Sequence, residues 1–232
     1  MRSPHPKLQS FILSIALLLA PSIAFHRPAI ANPTVQVTQQ NTSEIDAALM
    51  EGLRLFKEGS AKSLRKAVGS FEKALGLARS ANAQNKQTLS LLALGRIHDA
   101  LGENQKAIDY YNQALPILRA VGDRSGEATT LNNLGSVYDS LGEKQKAIDY
   151  YNQALPILRA VGNKSLEATT LNNLGLVYNS LGEKQRSIDY YNQSLPISRA
   201  VIDRSGEATT LNNLSRLRDR LRGGLARPGY QR

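Results

Sequence analysis

A block of this chain repeats itself every forty residues. Residues 102–134 and 142–174 share 29 of 33 positions, and 182–214 shares 25 of 33 with the copy before it. A fixed period of this size indicates an array in which each unit buries its apolar face against its neighbours. Such an array presents the same surface repeatedly. This favours binding over catalysis, because an active site needs different groups that converge on one point.

The composition excludes several kinds of site. The chain has no Cys, which removes disulfides, thiolate metal sites and a Cys nucleophile. Its three His residues are scattered, so we expect neither a metal site nor a cofactor. The net charge of +10 is concentrated at the two ends, and residues 32–214 carry 20 basic and 18 acidic side chains. We therefore expect no nucleic acid among the partners of the repeats.

The first 31 residues have the pattern of a secretory signal peptide. Arg2 and Lys7 precede an apolar run at 11–20, and Ala29-Ile30-Ala31 offers a small-residue cleavage site. The run is half the ~20 residues that a membrane-spanning helix needs, so we expect no stable membrane anchor. Cleavage after Ala31, or at a second small-residue site at 22–24, would place the chain in the periplasm or the medium. The polar stretch 32–43 is predicted to be a flexible linker.

Each unit of the array is predicted to form two helices. Ser125 is a candidate N-cap, and the apolar residues of 131–138 follow at helical spacing. Gly142 is expected to end this first helix. The second helix carries an apolar stripe at Ala147, Ile148, Tyr151, Ala154, Leu155 and Leu158. Pro156 lies inside it and is expected to bend it.

These residues resemble the signature of the tetratricopeptide repeat. The motif has a Leu-Gly pair, an aromatic residue, and then Ala, aromatic and Ala on the second helix; the matching residues here are Leu134-Gly135, Tyr138, Ala147, Tyr151 and Ala154. The forty-residue period is similar to that of kinesin light chain, of Leu-Gly-Asn-repeat scaffolds, and of bacterial proteins that carry a caspase-like (CHAT) protease domain. The resemblance implies an all-α fold, a right-handed α-solenoid of stacked antiparallel helix hairpins.

The resemblance also suggests boundaries along the chain. Residues 45–80 are predicted to form a divergent capping hairpin, with a connection at 58–66 that is longer than the later turns. Residues 82–214 are predicted to form an array of three forty-residue repeats and the start of a fourth. At 215–232 the pattern gives way to a basic tail. That tail could be a basic cap, or it could contact anionic lipid or an acidic partner. The alternative is that the gene is truncated at this point.

In tetratricopeptide arrays the first helices line a concave groove, and the resembling families use Asn there to bind peptide backbone. An amide suits this task because it both donates and accepts hydrogen bonds. The resemblance therefore implies a peptide-binding groove at Asn132, Asn133, Ser136, Asp139, Asn172, Asn173, Asn179, Asn212 and Asn213. The alternative is that these are ordinary solvent-exposed helix residues that were copied by duplication.

Two functions follow from this reading. The first is an exported, non-catalytic scaffold that binds a protein or peptide, with self-association as a further expectation. The alternative is the truncated partner-sensing arm of a larger CHAT-type protease. The repeated Tyr pairs suggest a stacking platform, but the second Tyr of each pair falls on the apolar stripe and is predicted to be core.

Overall fold

A computed structural model describes residues 33–225, and this part of the chain is built from α-helices. The helices of the described range are α1 (Pro33–Glu58), α2 (Ala61–Ser80), α3 (Gln84–Ala100), α4 (Asn104–Ala120), α5 (Arg124–Ser140), α6 (Lys144–Ala160), α7 (Lys164–Ser180), α8 (Lys184–Ala200) and α9 (Arg204–Leu225). The predicted all-α fold of stacked helix hairpins is confirmed. The predicted signal peptide at 1–31 and the end of the basic tail at 226–232 lie outside the described residues.

The chain divides into two compact units, 1–121 and 122–232. In the first unit α1 packs on α2 and α3 on α4, and α2 also packs on α3. In the second unit α5 packs on α6 and α7 on α8, while α6 packs on α7 and α8 on α9. Within each unit, contacts inside the hairpins and contacts from one hairpin to the next thus build a shared core, as expected for a repeat array.

Glycine with a positive φ occupies most of the sharp turns between the described helices. Gly142 follows α5 with a φ of 79°, and the Glu143 amide donates to the Tyr138 carbonyl at 2.9 Å. This bond closes a Schellman motif, which needs the left-handed backbone that glycine adopts without strain. The start of α5 differs from the prediction. Asp123, not Ser125, is the N-cap, because its carboxylate accepts the Gly126 amide proton at 2.8 Å.

Close contact between paired helices explains the Leu-Gly position of the motif. A Cβ atom added to Gly135 would lie 2.6 Å from the Tyr151 ring, and one added to Gly175 would lie 2.5 Å from Tyr191. All residues of the predicted second-helix stripe are buried. The second Tyr of each pair is therefore core, as predicted. Pro156 lies within a continuous helix, and its ring is exposed.

The first hairpin keeps this packing, but the predicted long connection at 58–66 is wrong. Gly52 faces the Phe71 ring as Gly135 faces Tyr151, and only Gly59 and Ser60 separate α1 from α2. The three extra residues instead lengthen α2 to 20 residues, against 17 in α6. Ser60 makes this possible because it forms a capping box with Ser63 that starts α2 early.

The stretch 32–43 also differs from the prediction of a flexible linker. Its backbone is helical from Pro33 onward and continues into α1. Proline is well tolerated at the first position of a helix, where its missing amide proton is not needed.

Candidate functional site

The first helices of the second unit share one surface. α5 contacts α7 directly, and α7 contacts α9. All the site residues predicted from the sequence lie on these three helices. The structure divides them into residues that join neighbouring helices and residues that remain available.

One Asn of each pair joins successive first helices. Asn132 is 6% exposed, and its side-chain oxygen accepts the Thr170 hydroxyl proton at 2.9 Å. The side-chain oxygen of Asn172 accepts hydrogen bonds from the Thr210 hydroxyl at 3.3 Å and from the Asn213 side-chain amide at 3.4 Å. These contacts hold the spacing between α5, α7 and α9. They also occupy the oxygens that a ligand would need.

The other Asn of each pair is available on α5 and α7. Asn133 and Asn173 are half-buried, and neither makes a side-chain hydrogen bond within the described residues. Thr129 and Thr169, one turn earlier, bond only to carbonyls of their own helices. We call the half-buried and exposed set on this face the amide surface; it consists of Thr129, Asn133, Ser136, Thr169, Asn173 and Leu176.

Three further predicted residues occupy different surroundings. Asp139 is half-buried and forms an ion pair with Lys144 at 2.6 Å, so its charge is neutralised within the hairpin. Asn179 is half-buried at the corresponding position of α7, and Asn212 is exposed on α9. The amide surface itself therefore carries no net charge.

The described helices of the first unit lack this surface. On α3 the residues that correspond to Asn132 and Asn133 are Leu92, which is half-buried, and Ala93, which is buried. Arg96 takes the position of Ser136, and burial lowers the pKa of its guanidinium. The corresponding link between first helices is ionic here, since Lys86 pairs with Asp46 at 2.5 Å.

Stacked ring pairs were missed by the sequence reasoning. The Tyr138 and Tyr150 rings lie 5.2 Å apart and nearly parallel, as do Tyr178 and Tyr190 at 5.3 Å. The Lys146 ammonium lies 5.1 Å from the centroid of Tyr138. The twelve-residue separation of these Tyr residues recurs in the sequence and could have indicated the stack. Because the rings are paired with each other, they stiffen the hairpin rather than offer a free platform.

A cavity of about 460 Å³ lies between α2 and α4 in the first unit. Two hydrogen bonds cross it, from Arg79 to Gln113 at 2.8 Å and from the Tyr110 hydroxyl to Glu72 at 3.3 Å. Burial, with a smaller contribution from Glu72, raises the pKa of Tyr110. The polar side chains that line the cavity thus mainly hydrogen-bond to one another across it and join α2 to α4.

No group of His, Asp and Glu within residues 33–225 is arranged to hold a metal ion. None of the helices described there combines the length and apolarity needed to cross a bilayer.

Solved structures share this fold at low sequence identity. The apo form of RapI superposes with a TM-score of 0.70 at 16% identity, covering 81% of this chain and 53% of RapI. A STAND protein with a tetratricopeptide repeat sensor, from Pyrococcus horikoshii, gives 0.67 at 19% identity, covering 74% of this chain and 27% of that one. A Rap protein complexed with Competence and Sporulation Factor gives 0.65 at 16% identity, covering 78% of this chain and 54% of that protein. The chain thus spans about half the length of the Rap proteins.

Sequence comparison completes the assignment. Comparison with curated proteins gave no match. The tetratricopeptide repeat profile matches residues 60–120, 87–160 and 162–225, which is more than half of the chain. The glycine-to-ring contacts, the hairpin order and this match agree, and the chain belongs to the tetratricopeptide repeat family.

Proposed function

We propose that this chain is an exported, non-catalytic scaffold that binds a protein or peptide across the amide surface. The observation that carries the proposal is the pair Asn133 and Asn173, whose amides have no hydrogen-bond partner within the described residues. They recur on adjacent helices that contact each other. Paired donors and acceptors at a regular spacing suit the backbone of a bound segment.

The fold comparison supports a binding role. One structural neighbour is a Rap protein in complex with Competence and Sporulation Factor. The uncharged character of the amide surface adds a specific expectation. A ligand held mainly by amides and hydroxyls should bind with little dependence on salt, since only ionic contacts are strongly screened.

The proposed experiment places a photo-crosslinking amino acid at single positions of the exported chain. Crosslinkers at Ser136 and at Leu176 should capture the same partner, and one at Gln153 on α6 should not. Asn133→Ala with Asn173→Ala should reduce that capture, while helical circular dichroism stays unchanged. Equal capture from Gln153, or capture unaffected by the double variant, would place binding elsewhere.

Export is a separate part of the proposal and rests on the leader at 1–31. Expression of the full chain in a bacterium, followed by N-terminal sequencing, should give a mature protein that starts at Asn32. A protein that retains Met1 in the cytoplasm would contradict export.

A second candidate is the partner-sensing arm of a larger protein. The neighbour from Pyrococcus horikoshii contains a tetratricopeptide repeat sensor, and this chain covers 27% of it. Reading the gene downstream of Arg232 tests this candidate, including the caspase-like protease version. A continuing effector domain would support it, and unrelated sequence would not.

A further inference from the structure

Among the residues that the structure describes, none covers one face of α9, although the same face of α7 is covered. In α7 the face consists of Ala168, Leu171, Gly175 and Tyr178, all of them buried. Gly175 faces the Tyr191 ring of α8, and the Tyr178 ring stacks on Tyr190 of α8. The corresponding residues of α9 are Ala208, Leu211, Ser215 and Arg218, and all four are exposed. Leu211 is 42% exposed, whereas Leu171 is fully buried. Within the described range no helix follows α9.

The face of α9 is not built for another repeat helix. In α7 a Cβ atom on Gly175 would lie 2.5 Å from the Tyr191 ring of α8. Ser215 carries both a Cβ and a hydroxyl at that position. A helix packed on α9 with a Tyr at the position that Tyr191 has on α8 would therefore collide with Ser215. A helix with a small residue at that position would fit.

Charge excludes the repeat helix as well. The second helices place a cation over the first-helix ring, Lys146 over Tyr138 and Arg186 over Tyr178 at 5.5 Å. On α9 the ring is replaced by Arg218, so such a cation would meet a like charge. Neither Arg216 nor Arg218 has an ion-pair partner within the described residues. The face therefore favours an acidic residue where the repeat has Lys146.

We propose that the face of α9 formed by Ala208, Leu211, Ser215 and Arg218 docks an acidic amphipathic helix of a partner protein. The docked helix has an acidic residue opposite Arg218 and a small residue opposite Ser215. Its apolar side chains cover Leu211, as α8 covers Leu171. This site goes beyond the amide surface, because it uses a different face and ionic contacts.

The test uses two synthetic peptides and the full mature chain. The repeat peptide has the sequence of residues 142–161, and the designed peptide is the same with Lys146→Glu and Tyr151→Ala. Fluorescence anisotropy should show that the designed peptide binds at least about tenfold more tightly than the repeat peptide, which corresponds to ~1.4 kcal/mol. Its affinity should fall with added salt. Leu211→Asp, at an exposed position, should abolish binding without loss of helical circular dichroism.

A reciprocal variant guards against nonspecific attraction to a basic helix. Ser215→Gly with Arg218→Tyr gives α9 the face of α7, so it should reverse the preference and favour the repeat peptide. Failure of the designed peptide to bind, equal binding of both peptides, or insensitivity to Leu211→Asp would overturn the proposal. Concentration-dependent dimerisation that Leu211→Asp abolishes would also overturn it, because a second copy would then be the occupant.

Discussion

Gly135 and Gly69 both lie inside helices, and their surroundings predict opposite effects of the same substitution. A Cβ on Gly135 would lie 2.6 Å from the Tyr151 ring, whereas no atom lies within 4 Å of one on Gly69. Gly135→Ala should lower the free energy of unfolding by about 1–3 kcal/mol, as expected for an overpacked core. Gly69→Ala should raise it by about 0.5–1 kcal/mol, because alanine favours the helix. Urea denaturation of both variants measures the difference; equal effects would contradict the assigned packing.

Ile202 is a second residue where the local backbone decides stability. It has a φ of 57° and is 79% exposed, at the turn position that Gly162 occupies with a φ of 70°. A left-handed backbone costs a non-glycine residue about 1–2 kcal/mol. Ile202→Gly should therefore stabilise the protein by about 1 kcal/mol, seen as a higher denaturation midpoint. Gly162→Ile is the matched control and should destabilise. A loss of stability in Ile202→Gly would mean that the side chain makes contacts worth more than the strain.

A buried carboxylate joins two successive hairpins at the junction of α6 and α7. Glu167 near the start of α7 is 3% exposed and accepts hydrogen bonds from Arg159 of α6 at 2.8 Å and from Lys164 at 2.9 Å. Burial alone raises the pKa of this carboxyl, but the bonds from Arg159 and Lys164 outweigh burial, so the pKa is lowered. The ionised Glu167 therefore stabilises the junction between the two helices.

This junction predicts a pH dependence of stability. Since the folded-state pKa of Glu167 is below its ordinary value of about 4.3, its contribution is complete above that pH. It is lost as the pH falls through the folded-state pKa. Glu167→Gln should lower the free energy of unfolding at pH 7 by about 1–2 kcal/mol. The gap between wild type and variant should close in acid. A gap that is constant from pH 7 to pH 3 would exclude the ionised pair as its source.

At the scale of helices, the sequence predicted most of the fold for a simple reason. Apolar spacing and turn glycines are local features, and they repeat. The wrong predictions concern helix starts that a single side chain decides. Asp123, not Ser125, caps α5, and Ser60 starts α2 early. Both are capping choices between neighbouring polar residues, which apolar periodicity does not distinguish.

For the candidate site, the sequence did not predict which of two adjacent Asn residues bonds to the next helix and which remains available. Asn132 and Asn133 are chemically identical, but only Asn132 reaches Thr170 of the next helix. That difference depends on how α5 and α7 pack, which the sequence of one repeat does not specify. The open face of α9 is similar: Ser215 and Arg218 are visible as departures from the repeat, but their exposure is a property of the packed array.

Across the second unit as a whole, the apolar core diminishes toward α9. The positions of Ala147, Ala154 and Leu158 on α6 hold Ser187, Ser194 and Ser198 on α8, all of them buried. The hydroxyls of Ser187 and Ser194 donate to carbonyls of α7, at 2.7 Å and 2.8 Å, so these two are satisfied. Replacing a buried Leu by Ser removes apolar contact that contributes about 1.5–3 kcal/mol.

This gradient predicts the order of local opening. Because repeat arrays are stabilised by nearest-neighbour contacts, a weaker hairpin opens without the rest. Amide hydrogen exchange followed by mass spectrometry should show faster exchange in α8 and α9 than in α5 and α6. Ser198→Leu should slow exchange in α8 and α9 by about tenfold or more, which is ~1.4 kcal/mol, and leave α5 unchanged. Uniform exchange across α5 to α9 would mean that the unit opens as one body, and the serine substitutions would then not set its weakest point.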